Sequence, residues 1–329
     1  IRFDSWSDMK AAFRDRYCNP EALTVREIEK PSPRENEILV RVHATTVNRT
    51  DCAVLTARPF IMRFFTGLFK PKFAIPGTDF AGEVVAVGQD VTKFAVGDRL
   101  FGFKDDGLPT QAEYLAVAED RAIARIPAKI DYHTAAASLE AAHYAYNFLN
   151  KVKLAAGQDV LVNGASGGIG SAMLQFLKHF GVRVTAVCNT KNVALIQKLG
   201  ADTVIDYQKE DFTQIKDKFD FVFDAVGKST FRKCKPLLKD KGIYISSELG
   251  PKAQNPFLAL LTPLFGGKKV IFPLPVDIPR SIKFISDLLE TGEFKPVIER
   301  TYPLDKIAEA YAYVMTGEKT GNVLIGVRS

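Results

Sequence analysis

The stretch from Val160 to Lys178 constrains this chain more than any other. Val160–Leu161–Val162–Asn163 is a short apolar run that reads as a buried strand, and Gly164 breaks it. Ser171–Lys178 then resumes with helical apolar spacing. Strand, glycine turn and helix start are the setting a dinucleotide-binding loop requires. Within Ala165–Ser166–Gly167–Gly168–Ile169–Gly170, Gly167 lets the backbone approach a pyrophosphate and Gly170 lets helix and strand pack closely. The unpaired amides at the positive helix end then face the phosphates. Ala165 stands where the motif's first glycine belongs, so the loop alone also reads as a plain glycine turn.

The residues that follow favour the first reading. Strands are expected at Asp159–Asn163, Val182–Cys188, Thr203–Asp206, Phe219–Ala225, Gly242–Ser247 and Lys269–Phe272. Helices fit between them at Ile169–Phe180, Asn192–Leu199, Phe212–Lys216 and Phe231–Leu238. That alternation predicts an α/β, doubly wound parallel sheet.

The first third has another character. Short runs at Ala22–Ile28, Ile38–Thr45, Ala81–Val87, Asp98–Phe103, Tyr114–Val117 and Ala122–Ile126 are punctuated by glycine and proline. Many short strands predict a β-rich, partly closed barrel-like domain. Residues 130–153 read as helical, as do Arg280–Thr291 and Leu304–Met315, and the strand-like Asn322–Val327 is expected to rejoin the first domain.

A chain of 329 residues suggests two domains. No apolar run reaches the ~18 residues of a membrane span, so no membrane partner is expected. The net charge of +6 is spread along the chain without a basic run, which argues against nucleic acid and suits an anionic cofactor. Cys18, Cys52, Cys188 and Cys234 are scattered and form no C-x-x-C pair, predicting reduced thiols in a cytoplasmic protein. Met9–Lys10–Ala11–Ala12 reads like a natural start, and Ile1–Asp8 then reads either as an extension or as native chain.

Several stretches together resemble the medium-chain dehydrogenase/reductase superfamily, and within it the zinc-free quinone oxidoreductase-like branch. They are Glu37–Val42, Val47–Asp51, Ile75–Val84, Val96–Arg99, the glycine loop, Leu199–Asp202, Ile205–Tyr207 and Phe223–Gly227. The resemblance implies a GroES-like catalytic domain over 1–127, completed by 276–329, and a Rossmann NADP-binding domain over 128–275.

In the superfamily's alcohol dehydrogenases a catalytic zinc is held by cysteine, histidine and a later cysteine or acid. The corresponding positions here are Asn48, Thr78 and, by looser alignment, Glu140. Asparagine and threonine are poor zinc ligands, so no metal is expected, although Asp79, Glu140 and His143 leave some ligating capacity. Without zinc a simple ketone lacks a Lewis acid for its developing alkoxide. A quinone or conjugated enone delocalises that charge, and hydrogen-bond donors suffice.

The candidate catalytic residues are Asn48, Thr78, His143 and Tyr144, and Asn48, His143 and Tyr144 each have two readings. Asn48 orients substrate through its amide or ties down a loop. His143, at a position resembling one that faces the nicotinamide, donates a proton or is a hydrogen-bonded core histidine. Tyr144 stacks or donates there, or packs in its helix. Asp51 reads as structural, accepting backbone amides at a helix start. Cys52 reads as a small buried residue.

For the cofactor, an acid about 20 positions past the loop would bond the ribose of NAD. Here the second strand runs into Asn189–Thr190–Lys191, which has no carboxylate and offers a cation for a 2′-phosphate. The other reading is a polar turn with a solvated lysine. Tyr207 matches a tyrosine near this phosphate in related reductases, and Asn322 resembles a position near the cofactor. NADPH is therefore expected, with reduction of a quinone or an α,β-unsaturated carbonyl. An enoyl thioester reductase, an alcohol dehydrogenase and a non-catalytic NADPH- or RNA-binding relative are the alternatives. The loop 57–74, with Phe60, Phe64, Phe65 and Phe69, is expected to shape the substrate pocket. Relatives pair the strand at 269–272 with its two-fold copy, which implies a homodimer joined near Lys269–Pro275.

Overall fold

The computed structural model describes residues 8–274 and 277–327. Most of Ile1–Asp8, and Pro275 and Val276 at the expected domain junction, lie outside the described residues. The chain divides into two compact units, 1–140 with 278–290 and 298–329, and 141–277 with 291–297.

In the first unit β1 (Asp8–Phe13) and β2 (Thr24–Glu29) form an antiparallel pair. The main sheet begins with β3 (Glu37–Val47), whose alternate residues Ile38, Val40, Val42 and Ala44 are fully buried. Two short helices follow, α1 (Arg49–Thr56) and α2 (Met62–Thr66). Then come β4 (Asp79–Val87), β5 (Arg99–Phe103), β6 (Tyr114–Ala118), β7 (Ile123–Arg125) and α3 (Tyr132–Ala137). The first half of β3 pairs with β6 while β4 runs antiparallel along Ile38–Ala44. The expected helix over 130–153 is broken: Ser138 ends α3, its Oγ donating to the Thr134 carbonyl at 2.6 Å. Because α3 packs on β3, β4 and β5, the first unit extends past the expected boundary at 127 to Glu140.

The second unit holds α4 (Glu140–Leu149, from its second residue), β8 (Asp159–Asn163), α5 (Gly168–His179), β9 (Arg183–Cys188) and α6 (Val193–Lys198). It continues with β10 (Thr203–Asp206), β11 (Phe219–Asp224), α7 (Phe231–Cys234), β12 (Leu238–Ser246), α8 (Gln254–Leu261) and β13 (Lys269–Ile271). These strands form one parallel sheet in the order β10-β9-β8-β11-β12-β13, the doubly wound arrangement. Val160, Leu161 and Val162 are buried in succession, as in a strand covered on both faces. Two expected helices shrink. Residues Phe212–Gln214 make only a 3-10 turn, and α7 passes into a 3-10 turn at Lys235–Leu237, where Pro236 supplies no amide for a longer helix.

The chain then gives α9 (Ile278–Thr291), β14 (Ile298–Pro303), α10 (Ile307–Met315) and β15 (Asn322–Gly326). β15 pairs with β3 through Ala44–Val47 and returns the chain to the first unit's sheet. Residues 291–297 belong to the second unit instead. There Phe294 packs edge-on against Phe176 at 4.9 Å, and Lys295 N donates to Gln175 Oε1 at 3.0 Å.

Candidate functional site

In the first unit the chemistry gathers at the junction of β3, α1 and β4. Asn48 is the N-cap of α1: its Oδ1 accepts from Asp51 N at 2.8 Å, and its own N donates to Asp51 Oδ2 at 3.0 Å. This reciprocal capping box satisfies two amides that a helix start leaves open. Both hydrogens of the Asn48 amide are also engaged, donating to Thr46 Oγ1 at 3.1 Å and to Thr78 Oγ1 at 2.9 Å. The geometry thus gives Asn48 the tying-down role, and Thr78 is a buried acceptor within the same network.

Asp79 lies beneath them, fully buried. It accepts from Thr46 N at 2.7 Å, Thr46 Oγ1 at 2.5 Å and Thr45 Oγ1 at 3.2 Å. Burial pushes its pKa up to about 6 against those hydrogen bonds. Burial, reinforced by the Asp79 charge, also holds Asp51 well above the ordinary carboxylate range. Glu140 accepts from Thr50 Oγ1 at 2.8 Å and is pushed up to about 7 by burial, with Lys319 opposing the shift. The Lys319 ammonium donates to the Gly321 carbonyl at 2.6 Å and is itself lowered by burial. Burial raises the Cys52 thiol to about 12, so it is an unreactive core group. Asn322 opens β15 as a buried residue. Among the described residues no group of three His, Cys, Asp or Glu side chains could hold a metal ion. Asn48 and Thr78 offer only neutral atoms already spent on one another, a donor set that does not fit zinc.

In the second unit Gly167 is the N-cap of α5 and carries no side-chain cap. The first intrahelical donor here is Ser171 N, to the Gly167 carbonyl at 2.9 Å, so Gly168, Ile169 and Gly170 present their amides at the helix start. A Cβ on Gly170 would lie 2.2 Å from the Gly164 carbonyl oxygen, so close helix–strand packing requires glycine there. A Cβ on Gly167 would meet no protein atom nearer than 3.6 Å. Packing does not require glycine at 167, and the space suits a diphosphate against the amides. Ala165 is buried behind the loop, and Ser166 is partly exposed beside Gly167.

The ends of β9 and β10 bring Asn189, Thr190, Lys191 and Tyr207 into one region, because Cys188 and Asp206 are register partners. Lys191 and Tyr207 are exposed. Asp206 is a carboxylate absent from the local sequence after β9. It accepts from Thr190 Oγ1 at 2.6 Å and Gln208 N at 3.1 Å, with Lys209 at 3.5 Å.

His143 is buried, and its Nε2 lies 3.0 Å from the Asn147 amide nitrogen, which donates to it. Burial lowers its pKa to about 4, so at neutral pH it is an uncharged imidazole. Tyr144 meets its ring edge-on at 5.6 Å. A further network escaped sequence reasoning. Asp224 closes β11 and accepts from Asn163 Nδ2 at 3.0 Å, Gly227 N at 3.0 Å, Ser229 N at 3.1 Å and the Tyr244 hydroxyl at 3.1 Å. The signal available was a polar residue ending each of two apolar strands, Val160–Asn163 and Phe221–Asp224.

Two family models match the chain. Residues 34–128 match the alcohol dehydrogenase GroES-like domain family, and residues 199–325 match the zinc-binding dehydrogenase family. The chain is 32% identical over 341 residues to the 2-methylene-furan-3-one reductase of Solanum lycopersicum, covering 97% of this chain and 79% of that protein. It is 30% identical over 330 residues to the chloroplastic NADPH-dependent alkenal/one oxidoreductase of Arabidopsis thaliana, with coverage of 97% and 79%. Among solved structures, the quinone oxidoreductase from Coxiella burnetii superposes with a TM-score of 0.84 at 25% identity, covering 98% of this chain and 100% of that one. The chain therefore belongs to the quinone oxidoreductase-like family of the medium-chain dehydrogenase/reductase superfamily and is an oxidoreductase.

Proposed function

We propose that this protein is an NADPH-dependent, zinc-independent reductase of quinones or α,β-unsaturated carbonyls. The observation that carries the reading is the Asn48–Thr78 hydrogen bond, which occupies positions where zinc-dependent relatives would need strong ligands. The names of the tomato, Arabidopsis and Coxiella proteins support the same acceptor class. When bound, reduced nicotinamide supplies the hydride. The α5 amides of Gly168, Ile169 and Gly170 would hold the diphosphate, and Lys191 with Tyr207 would take the 2′-phosphate, the Thr190 hydroxyl being donated to Asp206. Glu140, pushed up to about 7 by burial, is divided between its protonated and charged forms at neutral pH, and its Oε1 accepts from Thr50. His143 stays neutral there and orients through Asn147. NADPH consumption is expected with a para-quinone and an alkenal and not with a saturated ketone. Turnover of saturated ketones or alcohols, or none at all despite tight NADPH binding, would overturn the reading.

Cofactor choice is tested at Lys191. One charge-assisted contact is worth roughly 1.5–3 kcal/mol, so Lys191→Ala should weaken NADPH binding about 10- to 100-fold and leave NADH nearly unchanged. Asp206 does not cancel this preference, because its carboxylate is turned onto Thr190, Gln208 and Lys209. Equal affinities for the two cofactors in the unmutated protein would refute the assignment. Zinc independence has its own measurement. Elemental analysis should find far less than one zinc per chain, and a chelator should leave turnover and melting temperature unchanged.

The reading includes a homodimer and a reducing, cytoplasmic setting. All four cysteines are free thiols, and no helix among the described residues is long and apolar enough to cross a membrane. β13 is the outer strand of the parallel sheet, and beside it Phe257, Leu260, Leu264 and Phe265 are exposed, Phe265 by 83%. An apolar face continuous with an open strand edge suits isologous pairing. Phe272→Asp would place two like charges in that contact, and light scattering should record a shift from dimer to monomer. A monomer before mutation at micromolar concentration would refute the dimer.

A further inference from the structure

Among the described residues, the segment after α1 carries the first unit's largest set of exposed apolar side chains. Phe60, Ile61, Phe64, Phe65, Leu68 and Phe69 are all exposed, Phe64 by 67% and Phe69 by 88%. Scattered exposed apolar residues are ordinary, but six within ten positions make a patch of the kind that marks an interaction surface.

The segment is held in shape. The Tyr17 hydroxyl bonds Thr66 Oγ1 at 2.8 Å and donates to the Gly67 carbonyl. The Arg63 guanidinium lies 4.8 Å from the Tyr17 ring centre and 5.7 Å from that of Phe60, and its Nη1 donates to the Leu68 carbonyl at 3.3 Å. Lys72 N closes the turn onto the Thr66 carbonyl at 2.8 Å. The rings are therefore presented outward from a fixed backbone, which lowers the ordering cost of burying them in a partner.

Charge selects the partner. Arg58, Arg63, Lys70 and Lys72 are interleaved with the aromatic residues, and no acid occurs between Asp51 and Asp79. Arg58, Lys70 and Lys72 are exposed. A second copy of this chain docking isologously would set these cations against their own images. A bilayer with anionic headgroups accepts both features, cations at the headgroups and rings at the acyl boundary.

We propose that residues 58–72 form a membrane-surface anchor that docks on anionic lipid. The segment lies on the bilayer and does not span it, so the lack of a spanning helix does not bear on it. The expectation of no membrane partner came from the length of apolar runs, and that length tests only for a span. The anchor gives these rings a task other than the pocket-shaping one expected for 57–74, and it does not rest on the proposed activity.

The test is co-sedimentation of the full chain with vesicles. Each exposed cation near an anionic surface is worth about fivefold, so phosphatidylglycerol-containing vesicles should bind on the order of a hundredfold tighter than pure phosphatidylcholine at low salt, with the difference shrinking as salt rises. The triple variant Phe64→Ser, Phe65→Ser, Phe69→Ser should bind at least about tenfold more weakly at an unchanged melting temperature, since these side chains are exposed. Lys70→Glu with Lys72→Glu should abolish the preference for anionic vesicles. Protein remaining in the supernatant with anionic vesicles at low salt would overturn the proposal. So would wild-type binding by the triple variant, or a dimer that this variant dissolves without any vesicle binding.

Discussion

Asp79→Ala is expected to destabilise the first unit by about 3–5 kcal/mol. The substitution deletes the acceptor of Thr46 N, Thr46 Oγ1 and Thr45 Oγ1 in a site with no water-accessible surface. The two hydroxyls can turn to other acceptors, Thr45 already donating to the Asp79 carbonyl at 2.7 Å. The Thr46 amide cannot turn, and an orphaned buried donor bears its full desolvation cost. Asp79→Asn keeps the shape and an acceptor while removing a charge that burial disfavours, so its cost should be much smaller. Chemical denaturation of the two variants checks this. Equal losses would show that charge, and not the acceptor geometry, matters at this position.

Stability should fall as pH rises from about 4.5 to about 7, and Glu140 should account for much of the slope. Burial raises its folded-state pKa from 4.5 to about 7. The folded protein therefore keeps a proton that the unfolded chain has already released, and the stabilisation is complete below 4.5 and lost on passing 7. The slope from one such group is about 1.4 kcal/mol per pH unit. Lys319 opposes the shift, whereas Asp79 and Asp105 add to it. Asp79, raised from 3.8 to about 6, adds a slope of the same sign in a lower window, and His143, lowered by burial from 6.5 to about 4, adds one of opposite sign between those two values. Glu140→Gln removes the titrating proton and keeps a side chain able to bond Thr50. Urea unfolding midpoints across this range should be flatter in the variant than in the wild type. An unchanged slope would assign the pH dependence to other groups.

Both predictions concern a network whose members were individually visible in the sequence and whose connections were not. The strands Asp159–Asn163 and Thr203–Asp206 coincide with the expected ones, and β3, β4 and β5 lie within a few residues of theirs. Periodicity and glycine placement are local properties, so the alternation of strand and helix and the glycine turn that opens α5 can be read from neighbouring residues. Gly170 belongs to the same class, because its constraint comes from Gly164 only a turn away.

Tertiary structure alone decided what lies across long separations. It put the Asn48 amide on Thr78, Asp79 under Thr46 and Glu140 beside Thr50, and so gave Asn48 a structural task where the sequence left two readings open. It brought Asp206 to Thr190, close to where a scan past β9 finds no acid. It carried residues 291–297 back to the second unit through Phe294, and it assigned α3 to the first. It also turned Phe64 and Phe69 outward, although composition would place such rings in a core or a pocket. Burial and hydrogen-bond partnership depend on which distant segments meet, and a local pattern of residue types does not encode that meeting.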